Sequence, residues 1–225
     1  KNGLDCKIWL GCIKCSQKYD SHQVRYTCDC GGLLEVKRNL SKLDGSKLLQ
    51  TWENRWRAKK GAISSGVWRY KELILDLPDD EIITKQEGNT RLYAAGKAGK
   101  HAGLNNFLLK HEGENPSGSF KDRGMTCGIT AAKMLNATSV ACASTGNTSA
   151  SMAAYAANSK LKAVVFIPSG KIAYGKLAQA LAYGAKTLQI EGNFDDAMSL
   201  VQKVCNELNI YLLNSINPFR IEGQK

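Results

Sequence analysis

The feature that most constrains this chain is an alternation running through its second half. Short β-rich runs occur at residues 106–111 (NFLLKH), 139–144 (SVACAS), 163–168 (AVVFIP), 187–191 (TLQIE) and 210–214 (IYLLN). Between them lie Ala-rich or amphipathic segments of helical length at 120–135, 149–159, 172–183 and 194–208. Strand and helix in strict alternation predict an α/β fold: an open, mostly parallel sheet with helices on both faces. In such a sheet ligands gather at the C-terminal ends of the strands, where the next helix presents free N–H groups and its positive dipole end.

The first part of the chain has a different character. Residues 1–36 read as a compact ribbon ending in the strand-like LLEV, and a polar, helical stretch rich in Lys and Trp follows to about residue 76, with a boundary near residues 37–45. Within the ribbon Cys12, Cys15, Cys28 and Cys30 make a CxxC followed by a CxC. Two close pairs joined by a short loop let four thiolates converge on one tetrahedral ion, with Gly31 and Gly32 supplying backbone freedom. A zinc site is favoured over disulfides for this spacing inside a cell. Cys6, Cys127, Cys142 and Cys205 are isolated, and Cys127 and Cys142, in apolar runs, read as small core residues.

With 225 residues, 43% of them hydrophobic, the chain can bury a core. No apolar stretch approaches the roughly 20 residues that span a bilayer, and the N-terminus lacks the charged-then-apolar layout of a signal peptide. A cytoplasmic location and no membrane partner are expected. The net charge of +11 suits nucleic acid or an anionic small molecule, but the charges are scattered. The densest cluster, Arg55, Arg57, Lys59 and Lys60, reads as the solvated face of a helix. The ribbon carries no aromatic stripe interleaved with Lys or Arg, so a zinc-ribbon nucleic-acid module is the weaker alternative and no nucleic-acid partner is expected.

Two loops at strand-to-helix junctions carry chemistry. In the first, residues 115–124 (NPSGSFKDRG), Ser119 and Asp122 have capping-box spacing, which starts a helix at about Phe120 and puts Lys121 in its first turn. The positive helix end disfavours an ammonium there by roughly 0.3–1 kcal/mol, which biases Lys121 toward a nucleophilic amine. A nearby Arg123 acts in the same direction. In the second, residues 144–151 (STGNTSAS), hydroxyls and backbone amides gather at a helix N-terminus, a nest for an anion such as a carboxylate, although capping is the default role of Ser and Thr there.

NPSGSFKDRG resembles the Schiff-base lysine motif of the fold-type II pyridoxal-phosphate enzymes, the tryptophan synthase β-like architecture. Within them "NPTGSFKDRGM" is typical of threonine synthases; Ser117 replaces the Thr and keeps its hydroxyl. Further matches occur in the family's order: the ribbon-like start ending CGGLLEV, VWRY at 67–70, EGNT at 87–90, IPSGKIAYGKLAQALAYGA at 167–185, GNFDDAM at 192–198 and NSINPFRIEGQK at 214–225. Arg91 departs from the family's Pro in "EGNTPL", which puts the rigidity of that loop in question.

The resemblance implies pyridoxal 5'-phosphate held on Lys121 as a Schiff base, Asn147 on the pyridoxal ring oxygen, and the substrate carboxylate on the loop of Ser144, Thr145 and Thr148. It further implies the phosphate of O-phosphohomoserine on Asn214 and Arg220, threonine and inorganic phosphate as products, and a homodimer. Cysteate synthase and threonine dehydratase are the alternatives within the class. It implies three segments: a four-cysteine ribbon at 1–44, the start of a large cofactor domain at 45–118, and mostly a small α/β domain at 119–225. A Gly- and Asn-rich loop for the cofactor phosphate, and a Ser or Thr facing the pyridine nitrogen, have no counterpart here. The chain is therefore expected to be an N-terminal fragment, without its C-terminal part and unable to retain the cofactor or turn over by itself.

Overall fold

The computed structural model describes residues 8–41, 43–58, 60–170 and 174–225. The expectations that fall on Cys6, Lys59 and the start of the helix at 172 lie outside these. The ribbon is a three-stranded antiparallel sheet of β1 (Ile8–Cys12), β2 (Lys18–Asp20) and β3 (Leu34–Arg38) in the order β2-β1-β3. Its interior residues Leu10, Leu34 and Val36 are buried in one cluster with Trp68, Leu75, Ala131 and Phe219, so the ribbon shares its core with the rest of the chain. The Trp68 indole N–H donates to Thr126 Oγ1 at 2.7 Å inside that cluster.

The helical stretch is α1 (Gly45–Arg57), opened by the Asp44 carboxylate accepting the N–H groups of Ser46 and Lys47, and then short 3₁₀ turns at 62–64 and 68–73. One expectation fails here. Arg55 is not part of a solvated face, because it pairs with the buried Glu72 and donates to the Arg69 carbonyl. The first β-run is also placed differently. β4 (Leu92–Ala94) and β5 (Leu108–Lys110), with α2 (Gly96–His101) between them, form a separate antiparallel pair rather than a strand of the parallel sheet. A short apolar run signals a strand, but not which strand it will join.

The remaining elements bear out the alternation: α3 (Lys121–Met134), β6 (Ser139–Ala143), α4 (Asn147–Asn158), β7 (Lys162–Pro168), α5 (Tyr174–Ala182), β8 (Lys186–Ile190), α6 (Phe194–Glu207), β9 (Tyr211–Leu212) and α7 (Pro218–Glu222). The four strands are parallel in the order β8-β7-β6-β9. Strand periodicity divides their side chains between two faces. Val140, Cys142, Val165 and Ile167 pack with Met125, Ile129, Met152 and Tyr155 of α3 and α4. Ala141, Ala143, Phe166 and Leu212 pack with Ala197, Val201 and Cys205 of α6. The buried Cys127 and Cys142 behave as core residues, as the sequence predicts.

Strand order follows from handedness. The chain runs outward from β6 to β7 to β8 and then returns past β6 to place β9 on its other side. Crossovers of fixed hand put the outward and returning helices on opposite faces. The order therefore reverses between β6 and β9, and α/β sheets offer a crevice at such a switch point. Phe166 is the large side chain that fills the α6 face among alanines. Phe166→Ala is expected to lose about 3–5 kcal/mol of unfolding free energy in a denaturant titration. Leu188→Ala, on the exposed side of β8, should stay within roughly 0.5 kcal/mol of the parent.

Candidate functional site

Lys121 is the first residue of α3 and is half-buried. The expected capping box does not form. The Asp122 carboxylate reaches back past Ser119 to Ser117, accepting its N–H at 2.6 Å and its hydroxyl, and also accepts the Ser151 hydroxyl of α4. Ser119 Oγ lies 3.4 Å from the Lys121 N–H, and no side chain caps the helix in the usual way. Among the described residues the Lys121 amine has no acidic partner; its neighbour is the Phe120 ring, 3.9 Å from the Nζ. Burial, and then the charge of Arg220, hold its pKa below the ordinary lysine value. The neighbouring cation is thus Arg220 and not Arg123. Arg123 turns away and grips Glu112 with two bonds of 2.7 and 2.8 Å, holding that carboxyl down to about 2.

Arg220 reaches Lys121 because α7 lies close against α3. A Cβ on Gly124 would stand 2.7 Å from the Arg220 carbonyl oxygen, and one on Gly223 would collide with the Arg123 carbonyl. Only glycine permits that approach. Asn217 caps α7, its side chain accepting the Arg220 N–H at 3.1 Å. Arg220 is 4% exposed, and its guanidinium donates to the Leu213 carbonyl at 3.0 Å and to Thr148 Oγ1 at 3.3 Å. Its Nε is buried without a partner, and no carboxylate pairs with it among the described residues. Burial lowers its pKa.

The second loop lies where the strand order reverses. Ser144 follows β6, its N–H donating to Phe166 O at 3.1 Å and its Oγ accepting the Gly146 N–H at 3.2 Å. Asn147 opens α4 and is exposed, while Thr145 and Thr148 are half-buried beside it. Gly146 takes the N-cap position and has no side chain to offer, so no side chain caps the first turn of α4. Asn214, just beyond β9, is buried and pairs with both backbone groups of Ala143, accepting its N–H at 2.9 Å and donating to its carbonyl at 3.0 Å. It is placed as the clamp of the β6 end and not as a free amide.

The structure therefore joins Thr148 to Arg220 directly, sets Lys121 within the field of the Arg220 charge, and joins Asn214 to Ser144 through Ala143. Sequence reasoning missed Asp122, Ser117 and Ser151 as the link between the loops. The only signal was an Asp beside two serine-rich loops, and nothing local pairs them. Arg91 is resolved more simply: its N–H donates to Glu114 at 2.7 Å, a bond a proline could not make, so the loop is pinned by another means.

Away from this crevice, the four ribbon cysteines converge. Their sulfurs all lie within 4.8 Å of one another, with Cys12 to Cys30 at 3.6 Å and Cys15 to Cys28 at 3.5 Å. These separations exclude disulfides, whose sulfurs stand about 2.0 Å apart. The Tyr19 hydroxyl beside Cys28 and the Cys30 N–H hold the Cys28 thiol down to about 6.

Comparison with known proteins gives the site its setting. The chain is 49% identical over 214 residues to the threonine synthase of Methanocaldococcus jannaschii, covering 95% of this chain and 51% of that one. It is 49% identical over 220 residues to the threonine synthase of Methanosarcina acetivorans, covering 96% and 51%. The Mycobacterium tuberculosis enzyme of that name is 55% identical over 144 residues, covering 64% and 40%. The chain thus spans about half the length of the curated relatives it matches. Solved structures share the fold: maize serine racemase (TM-score 0.55, 24% identity, 61% of this chain and 42% of that one) and tomato threonine deaminase isoform 2 (0.53, 20%, 81% and 44%). Residues 83–225 match the family described as pyridoxal-phosphate dependent enzyme. That match takes in both loops, the clamp on β6 and the arginine helix, and the chain belongs to the family of pyridoxal-phosphate dependent enzymes.

Proposed function

We propose that this chain carries the lysine half of a threonine synthase site, converting O-phospho-L-homoserine and water to L-threonine and phosphate. The observation that carries this reading is Arg220: a buried guanidinium, held by neutral acceptors alone, beside a lysine of lowered basicity and an uncapped helix start. A buried charge without a counter-ion costs free energy, and a phosphorylated substrate supplies the missing anion. The likeness to threonine synthases over nearly the whole chain supports the choice of substrate.

The residues present fit pyridoxal phosphate, since among the described residues the Lys121 amine has no acidic partner to hold it from an aldehyde. When bound, the pyridoxal ring supplies an electron sink for carbon-bound protons. In this reading Lys121 would anchor the cofactor and Asn147, at the exposed start of α4, would help hold its ring. With its amine free, Lys121 would move protons at the substrate α and β carbons. The open N-terminus of α4, with Ser144, Thr145 and Thr148, orients the substrate carboxylate. Arg220 holds the phosphate that departs from the γ carbon, and water adds its hydroxyl at the β carbon. Asn214 positions the loop by clamping Ala143. The same reading divides the chain at residues 44 and 118 and places the whole protein in the cytoplasm as a homodimer. No described helix is long and apolar enough to cross a membrane.

Phosphate release by the full-length protein tests the reaction. O-Phosphohomoserine should yield phosphate and threonine, and Lys121→Ala should reduce both to background. Release from O-phosphoserine alone, or conversion of threonine alone, would assign a sister reaction. The lysine can be tested separately by borohydride trapping of pyridoxal phosphate across pH, read by peptide mass at Lys121. The neutral amine reacts, so a lowered pKa puts the midpoint below that of an ordinary lysine. Arg220→Gln removes the neighbouring cation and should move the midpoint upward. An unchanged midpoint would remove Arg220 from the account of Lys121.

A further inference from the structure

The four-cysteine cluster lies outside the crevice and the proposed reaction does not use it. Its donor set is unmixed: four sulfurs within 4.8 Å of one another. Sulfurs about 2.3 Å from a tetrahedral zinc stand about 3.8 Å apart, close to the observed 3.5 and 3.6 Å pairs. The backbone N–H groups of Lys14 and Cys15 point at Cys12 Sγ from 3.3 and 3.5 Å, which supports a thiolate there. The loop is built around the cluster. A Cβ on Gly32 would stand 2.7 Å from Cys12 Sγ, and Gly31 has φ 76°. A ribbon of three short strands has little core beyond the one it shares with the rest of the chain.

The same ribbon is fastened to the segment that holds the arginine. From the loop between the two cysteine pairs, Tyr26 lays its ring on Tyr211, 5.9 Å between centroids, and its hydroxyl accepts the Leu212 N–H at 2.7 Å. From β3, Arg38 forms a buried ion pair with Glu222 of α7 and donates to the Ile74 carbonyl at 2.9 Å. Residues 212–222 are thus tied at both ends to a unit whose loops are closed by the four thiolates. Between those ties lie Leu213, Asn214 and Arg220.

We propose that Cys12, Cys15, Cys28 and Cys30 bind zinc, and that the bound metal holds residues 212–222 where Asn214 and Arg220 act. The positioning half rests on the proposed role of Arg220 at the substrate phosphate. The metal half stands without it. Soft thiolate donors in a closed tetrahedral set select zinc over hard cations and leave no open position for catalysis, so the site is structural.

The test uses the 225-residue chain and, in parallel, the full-length protein. Elemental analysis after gel filtration should find a single zinc per chain, lost when the two exposed ligands are changed together as Cys15→Ser and Cys30→Ser. Cobalt added to metal-free protein should give thiolate-to-metal charge-transfer bands and intense tetrahedral d–d bands. Absence of retained metal, iron in place of zinc, or weak octahedral cobalt bands would each overturn the site. For the positioning role, hydrogen exchange is followed before and after removal of zinc by a chelator. Amides at 211–222 should exchange about tenfold faster or more, with those of β7 unchanged. Tyr26→Phe should keep the metal yet speed exchange at Leu212. No change at 211–222, or an equal rise throughout β6 and β7, would overturn the local route. None of these readouts involves turnover or pyridoxal phosphate. Their failure with intact phosphate release leaves the enzyme reading standing, and the converse outcome leaves the metal site standing.

Discussion

Asp122 has no solvent exposure and takes three hydrogen bonds, from the Ser117 N–H, the Ser117 hydroxyl and the Ser151 hydroxyl. A buried carboxyl group is tolerated only when its acceptors are filled, and here the donors come from two separate segments of the chain. Ser117 belongs to the turn before α3 and Ser151 to α4, so the bond set fixes one helix start against the other. It also decides what Lys121 can be. With its oxygens saturated by hydroxyls and an amide, Asp122 makes no ion pair with the lysine beside it. Had it done so, the amine would be held protonated. The fold keeps the acid close and occupied, and leaves the base without an acidic partner.

The position of that pair of helix starts follows from chain handedness rather than from any residue at the site. Two outward crossovers and one return place the gap between β6 and β9, and the segments leaving those strands carry Ser144 and Asn214. Asn214 then bridges the gap through both backbone groups of Ala143, in effect extending the sheet by one side chain. With Gly146 at the N-cap, the first turn of α4 has no capping side chain, and its N–H groups are available to a ligand. The Gly124 and Gly223 contacts perform the same service on the other side, letting α7 pack against α3 so that Arg220 arrives beside Lys121.

Much of this was legible in the sequence because it is local. The strand and helix runs from 120 onward are found within a residue or two of where periodicity puts them, and the asparagine of GNFDD forms a true capping box with Asp196. The lysine loop and the STGN loop are local strings, and they lead to the right family. What was hidden is pairing at a distance. Asp122 chooses Ser117 over Ser119 because Ser151, from another helix, must be satisfied too. Arg123 and Arg220 are equally basic in the sequence, but only Arg123 finds a carboxylate, at Glu112. Arg55 reads as solvated because its partner Glu72 is distant along the chain. The run at 106–111 pairs with β4, since an apolar stretch that short carries no information on its partner.

Arg220 is the point at which packing and chemistry make opposite demands. Packing alone would favour an apolar side chain at a site so deeply buried, or a carboxylate beside it. Among the described residues the site has neither, only a strand-end carbonyl and a threonine hydroxyl, with Lys121 and an uncapped helix start nearby. Each of these raises the cost of burying the guanidinium, and each is offset when an anion binds. Whatever anion binds there stabilises the fold by mass action as well as occupying the site. The same 212–222 segment that holds the arginine is where the ribbon attaches, so in the proposed reading rigidity supplied from the cysteine end sustains this charge arrangement. The ribbon can be far from the chemistry and still set its geometry.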